Sequence, residues 1–273
     1  MQEEKKKQKI GYQTLMEMLD EAYKAFKGNE AGMVEKYITV QARFPEYSTR
    51  NVLLTAIQFP KAEALHTKEE WKKAGSRLIG KPEPVFLLFP DYNADNDYLL
   101  RMEKMYDVSQ TDKGFLSSAY AKAQLVQLQA GLFNICPVEI VKDVEIERPA
   151  VYVPDNLRVY VRLKKEDPVD WCFEHTVYAA MEAIYDNEFR TVDASVRRWL
   201  AEMTGRILLK HYNLKIYEKK QPVLPKNVKK WPEDRYRVML EVLRGTFYKS
   251  YLAFEESRKA YGTETGQGPE ESE

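Results

Sequence analysis

The sequence predicts an α+β protein: N-terminal helices plus a small antiparallel sheet, followed by a mostly helical second part that carries a β-hairpin. Three observations predict it. Apolar residues recur at three- and four-residue steps between Tyr12 and Ile57, the pattern changes to short apolar runs between Val85 and Val108, and an alternating hairpin near 150–163 precedes a series of long helical periods. At 273 residues the chain favours two domains. Their expected bounds are 10–125 and 126–261, with an acidic, disordered tail over 262–273.

Element by element, Tyr12, Leu15, Met16, Leu19, Tyr23 and Phe26 form one apolar helix face that ends near Gly28, and a second short helix covers Met33 to Val40. Ser48 is placed to cap the next helix, whose residues Val52, Leu53, Ala56 and Ile57 are apolar and which stops at Pro60. Thr67-Lys-Glu-Glu70 has the capping-box spacing, and Gly75 is positioned to close the helix it starts. Val85 to Phe89 and Leu100 to Val108 read as strands, the second with Leu100, Met102, Tyr106 and Val108 on one face, joined by a turn-rich acidic loop from Asp91 to Asp97. A helix around Ser117 to Ala130 leads into the second half. There Ala150 to Val153, the turn Pro154-Asp155-Asn156 and Leu157 to Leu163 form the hairpin, with Leu157, Val159, Val161 and Leu163 inward and Arg158, Tyr160 and Arg162 outward. Asp167-Pro168 places a cap and a first-turn proline before a helix to about Tyr185. Further helices run from Val192 to His211 and from Pro232 to about Tyr261.

Composition excludes several function classes. Forty-two Lys and Arg balance forty-two Asp and Glu, so a polybasic, histone-like binder is excluded and any anion-binding surface must arise from local segregation of charge. The longest apolar runs stop far short of a membrane span, and the start Met-Gln-Glu-Glu-Lys-Lys-Lys lacks the apolar stretch of a signal peptide, which predicts a soluble cytoplasmic protein with no membrane partner. Cys136 and Cys172 form neither a disulfide framework nor a Cys-x-x-Cys zinc motif.

Segregation appears first between Phe44 and Lys81. The chain reads Tyr47-Ser-x-x-Asn51, then Gln58-x-Pro60, then Trp71-x-x-x-Gly75 and Lys81, followed by an apolar strand and by Tyr106-Asp-Val-Ser-Gln-Thr111. This spaced set, over roughly residues 10–115, resembles the N-terminal single-stranded-DNA-binding domain of the ArdC antirestriction and LtrC-like family of conjugative plasmids and integrative elements. Beside the resemblance stands a physical case. Unpaired bases need flat platforms next to cations that follow the phosphates, and stacking contributes about 1–3 kcal/mol per base. Tyr47, Trp71 and Tyr106 are candidate platforms; Arg50, Lys72, Lys73, Arg77 and Lys81 are candidate cations; Ser48, Asn51 and Gln58 are candidate hydrogen-bonding groups. From Trp71 to Lys81 there are four positive residues and no negative one. Each has a plainer role open to it: Trp71 as a packing residue, Asn51 as a brace for its helix, Lys72 and Lys73 as a solvated face.

In the same family the C-terminal domain resembles a zincin-like metallopeptidase, with a hairpin, a helix carrying His-Glu-x-x-His and a later helix with an acidic ligand. Here the hairpin and the helix after Asp167 fall in that order, and Trp199-Leu-Ala-Glu-Met-Thr-Gly-Arg206 matches the later helix. The best match to the metal motif is Phe173-Glu174-His175-Thr176-Val177, with apolar residues at both histidine positions. Phe173 and Val177 share a face with Val169, Ala180 and Ile184, which predicts packed hydrocarbon where a metal would sit. Glu202, at the acidic-ligand position, is explained by an i,i+4 pair with Arg206. The sequence therefore predicts no metal, no cofactor and no catalytic residue: a degenerate peptidase-like domain. The overall expectation is a non-catalytic single-stranded-DNA-binding protein of a mobile element, acting in conjugative transfer or antirestriction, with conjugation or restriction-system proteins as further partners. A residual metallopeptidase using Glu174, His175 and Glu202, and a protein-interaction module, are the alternatives.

A second segregation lies between Lys215 and Lys249, where ten positive residues face four negative ones and Tyr217, Trp231 and Tyr236 are interspersed. It extends a nucleic-acid path or forms a solvated surface.

Overall fold

The computed structural model describes residues 10–91, 100–114 and 125–264. The chain divides into two compact units, one of residues 1–40 and 47–117, the other of residues 41–46 and 118–273.

In the first unit, α1 (Tyr12–Gly28) buries Leu15, Leu19, Ala22, Tyr23 and Phe26, the periodic face read from the sequence. Asn29 ends it in the left-handed conformation at φ 54°, its N–H returning to the carbonyls of Ala25 and Phe26. Helix α2 (Met33–Arg43) begins in this unit, and its residues from Gln41 onward group with the second. Helix α3 (Thr49–Gln58) starts at Ser48, whose hydroxyl accepts from the Asn51 N–H. Strand β1 (Leu65–His66) is followed by α4 (Lys68–Lys73), which opens with the Thr67–Glu70 capping box and closes before Gly75 at φ 71°. Strands β2 (Val85–Pro90) and β3 (Leu100–Asp107) complete an antiparallel sheet of order β1-β3-β2.

Two details of this unit depart from expectation. The two-residue strand β1 is too short to leave a pattern. On β3 the buried side chains are Met105 and Asp107, so the more enclosed face is the odd-numbered one and not that of Leu100, Met102 and Tyr106. Asp107 explains the inversion, because a polar residue faces inward to satisfy buried backbone: its carboxylate accepts from the N–H groups of Glu63 at 2.7 Å, Ala64 at 3.1 Å and Ser109 at 3.0 Å. The expected acidic loop from Asp91 lies almost wholly outside the described residues.

The second unit sets helices on one small sheet. Helix α5 (Leu125–Ile135) packs along α8, and the expected start of α5 at Ser117 lies outside the described residues. Strand β4 (Glu139–Lys142) pairs in parallel with β6 (Arg158–Val161), and β5 (Ala150–Val153) pairs antiparallel with β6, giving the order β4-β6-β5. The hairpin forms where it was read, yet only Val159 and Val161 of its inward set are buried; Leu157 and Leu163 are exposed. Arg162, expected outside, is buried at 9% exposure. It donates to the Ile146 and Glu147 carbonyls and to Asp167 at 3.0 Å, so Asp167 serves an ion pair and not a helix cap.

Helix α6 (Val169–Glu188) lies against β5 and β6, α7 (Ala194–His211) against α6, and α8 (Glu233–Glu264) against α5 and α7. The first residue of α6, Val169, is exposed, which removes it from the predicted apolar face. Helix α8 runs three residues past Tyr261, into the stretch expected to be disordered, and the rest of that tail lies outside the described residues.

Candidate nucleic-acid interface

The segment after α4 builds the site in the first unit. Residues 76–82 run beside the end of β3, held by Leu78 bridging Thr111, by the Ile79 N–H to the Gln110 carbonyl at 3.0 Å and by the Asp112 N–H to the Arg77 carbonyl at 2.8 Å. The Gln110 side chain reaches back to the Glu83 carbonyl at 3.1 Å. These ties hold open a groove of about 540 Å³ lined by Lys68, Lys72, Ser76, Arg77, Leu78, Pro82 and Tyr106. Three cations and one half-buried tyrosine thus meet in a wall that, among the described residues, has no acidic member.

Lys68 and Lys72 are exposed and one helical turn apart on α4. The Arg77 side chain is 86% exposed and sits 3.6 Å from Asp112, whose carboxyl is held below its usual range first by the hydrogen bond from the Arg77 N–H and then by the guanidinium. A pair so exposed adds little stability, which leaves Arg77 free to exchange its partner for a phosphate at small cost.

Of the residues singled out in the sequence, the groove gathers Lys72, Arg77 and Tyr106. Lys73 and Lys81 are exposed on the flanking segments. Lys68 was not singled out; its place four residues before Lys72 was the signal available. Tyr47 and Arg50 are partly exposed elsewhere, Tyr47 packing edge-on at 6.5 Å against Phe89. Phe89 is at the other end of β2 from Val85, the residue opposite Met105, so about 13 Å of strand separates these two groups.

Trp71, Asn51 and Gln58 are committed to the fold. Trp71 is 4% exposed and donates its indole N–H to the Tyr106 carbonyl at 2.8 Å, so it anchors α4 to β3 and offers no face to a base. The Asn51 amide accepts from the Leu88 N–H at 2.9 Å and donates to the Leu88 carbonyl at 3.0 Å. Gln58 does the same for Phe86, at 2.9 Å each way. Seven residues apart on α3, the two amides face alternate residues of the unpaired side of β2, and each spends a donor and its acceptor oxygen on that strand's backbone. Ser48 is engaged as the cap of α3.

In the second unit, Phe173 and Val177 are buried, at 8% and 0% exposure. Glu174 between them is wholly buried, its carboxylate accepting from the backbone N–H groups of Tyr217 at 2.7 Å and Glu218 at 3.2 Å and from the Tyr178 hydroxyl at 3.0 Å. Glu202 takes Arg206 at 3.0 Å, the i,i+4 pair read from the sequence. A cleft of about 370 Å³ beside them is lined by His175, Tyr178, Glu202, Arg148 and Arg198 among others. Burial lowers the His175 pKa and raises that of Glu202, so both favour their neutral forms. Among the described residues no group of three or more His, Cys, Asp or Glu side chains is placed to hold a metal ion. The donor set does not fit the metal that the resemblance implies: two ligand positions carry hydrocarbon, and the intervening carboxylate is buried and engaged by two backbone N–H groups and a tyrosine hydroxyl.

No protein-family model and no curated protein matches the chain. Solved structures do. The metal-free crystal structure of the antirestriction protein ArdC from the R388 plasmid matches with a TM-score of 0.54 at 12% identity, over 90% of this chain and 98% of that one. The Mn(II)-bound structure of the same protein matches with a TM-score of 0.50 at 13% identity, over 81% and 97%. At this identity the likeness concerns the fold: the chain is built on the architecture of the ArdC antirestriction protein over nine tenths of its length.

Proposed function

We propose that this protein binds single-stranded DNA without catalysis, through the groove lined by Lys68, Lys72, Arg77 and Tyr106, and that it does so in a mobile element during antirestriction or strand transfer. One observation carries the reading: three cations and a half-exposed aromatic ring converge on one groove with no acidic lining among the described residues. Phosphate neutralisation by the cations supplies affinity, and Tyr106 with the apolar surfaces of Leu78 and Pro82 receives a base. The antirestriction and transfer roles rest on the fold shared with a plasmid antirestriction protein, as do restriction or conjugation proteins as further partners and a cytoplasmic setting. The absence of catalysis rests on Phe173, Val177 and the buried Glu174, which already accepts three hydrogen bonds.

Anisotropy of a labelled oligothymidine, titrated at several salt concentrations, tests the reading. Each phosphate contact on a single strand contributes about 0.7 to the slope of log affinity against log salt. Three groove cations give a slope of at least about 2, so affinity falls roughly 18-fold between about 50 and 200 mM salt. Replacing Lys72 and Arg77 together by Ala should lower the slope by about 1.4. No binding at low salt, or an unchanged slope in the double variant, overturns the proposal.

A further inference from the structure

The connection between α7 and α8, residues 212–232, is far longer than the roughly 12–15 residues at which loops without secondary structure become uncommon, and it is not loose. Leu214, Leu224 and Val228 are buried. Glu174 holds the N–H groups of Tyr217 and Glu218, and Arg206 donates to the carbonyls of Glu218 at 3.1 Å and Lys220 at 2.5 Å. Asn227 caps a short turn in which the Trp231 N–H returns to the Val228 carbonyl at 3.0 Å.

On this pinned backbone every lysine points outward. Lys215, Lys219, Lys220, Lys226, Lys229 and Lys230 are all exposed, against one acidic residue, Glu218, whose carboxylate accepts from the Lys220 N–H. Two planar groups are interspersed, each already paired with a cation: Lys215 lies 4.2 Å from the Tyr217 ring, and the Arg235 guanidinium 4.0 Å from the Trp231 ring. A lysine row whose only purpose is solvation needs neither a fixed backbone nor aromatic partners. A guanidinium seated on an indole presents a flat cationic surface of the kind on which unpaired bases stack.

We propose that residues 212–232, with Arg235, form a second binding surface for single-stranded nucleic acid: the lysines follow its phosphates, and Tyr217 and the Arg235–Trp231 pair receive bases. The ligand class rests on the function proposed above, while the surface belongs to a different unit and is tested separately. In this arrangement Glu174, at the centre of the failed metal motif, is a positioning residue for the connection.

The test uses the full-length protein and a labelled oligothymidine, with three variants: Lys226→Glu/Lys229→Glu/Lys230→Glu, Lys72→Ala/Arg77→Ala, and Trp231→Ala. Ultraviolet crosslinking of the bound oligonucleotide and mass mapping accompany the titrations. The expected result is a loss of more than about ten-fold in affinity at low salt for the lysine variant, a fall of about 2 in its salt slope, and crosslinks on the peptides carrying Tyr217 or Trp231. The lysine variant, changed only at exposed positions, should melt like the parent, which keeps the test valid if Trp231→Ala fails to fold. Unchanged affinity and slope in the lysine variant, with crosslinks confined to residues 68–82 and 106, overturn this surface and leave the groove standing. The reverse pattern overturns the groove and supports this surface. Lysine-dependent binding to anionic phospholipid vesicles without binding to the oligonucleotide overturns the nucleic-acid assignment of both.

Discussion

Replacing Asn51 by Ala separates a DNA-contacting motif from a structural one. The side chain is 4% exposed and makes a hydrogen bond of 2.9 Å and one of 3.0 Å to Leu88, itself 1% exposed. Alanine leaves the Leu88 N–H and carbonyl without partners on the open side of β2. A buried group stripped of its partner costs roughly 1–3 kcal/mol, so two of them give a loss of about 2–6 kcal/mol, reduced if water reaches the strand. Urea denaturation followed by circular dichroism should show a lower midpoint with an unchanged m-value, because the surface exposed on unfolding is the same. The folded variant should bind oligothymidine with the parent's salt slope. A stability loss below about 1 kcal/mol, or a lost salt dependence in a fully folded variant, would refute the assignment of Asn51 to the strand edge.

Other outcomes follow from single contacts. A methyl group at Gly205 would stand 2.5 Å from the Tyr178 ring, so Gly205→Ala should destabilise by about 1–3 kcal/mol in the same denaturation assay. Glu174→Ala should free the backbone of residues 217–218, read as faster hydrogen exchange there and as a loss of stability, because three donors lose a buried acceptor. His211 is buried against Tyr212 and Tyr251, donates from Nδ1 to the Ala42 carbonyl at 2.6 Å, and has Glu255 and Arg258 nearby; burial sets its pKa below the ordinary value of about 6.5. The unfolded chain then binds the proton first, so stability present above pH about 6.5 is lost as pH falls below it. Unfolding measured across that range should show a shallower acid-side loss in His211→Gln than in the parent. Glu202, shifted upward, acts in the opposite sense in both proteins and cancels in the comparison.

Local rules made most of the elements readable. Ser48 and the Thr67–Glu70 box mark helix starts because each cap is settled within four residues, and the hairpin at 150–161 because alternation and turn residues coincide. Strand β4 escaped because Glu139–Lys142 has two apolar residues and gains its partner, β6, by a parallel pairing that no local signal encodes. The site was half legible. Lys72, Arg77 and Tyr106 were visible as a charge and aromatic cluster, but Trp71, Asn51 and Gln58 look the same in sequence whether they meet DNA or their own backbone. Their partners lie 28 to 37 residues away, and only the folded chain shows those bonds. The apolar face of Phe173 and Val177 was legible without a fold, because side chains lacking donor atoms are visible in sequence, and both are buried in the structure.

The two amides on α3 also bear on how the protein behaves in a crowd. Val85 to Leu88 is a buried, wholly apolar β-segment whose outer side would otherwise offer ladder positions to any extended chain. Asn51 and Gln58 occupy those positions at Leu88 and Phe86, so they compete with intermolecular strand addition there. A protein lacking both amides would be expected to clump through this segment under mildly destabilising conditions, well before it unfolds. On that view, a motif that reads as a ligand signature in sequence guards the chain against copies of itself.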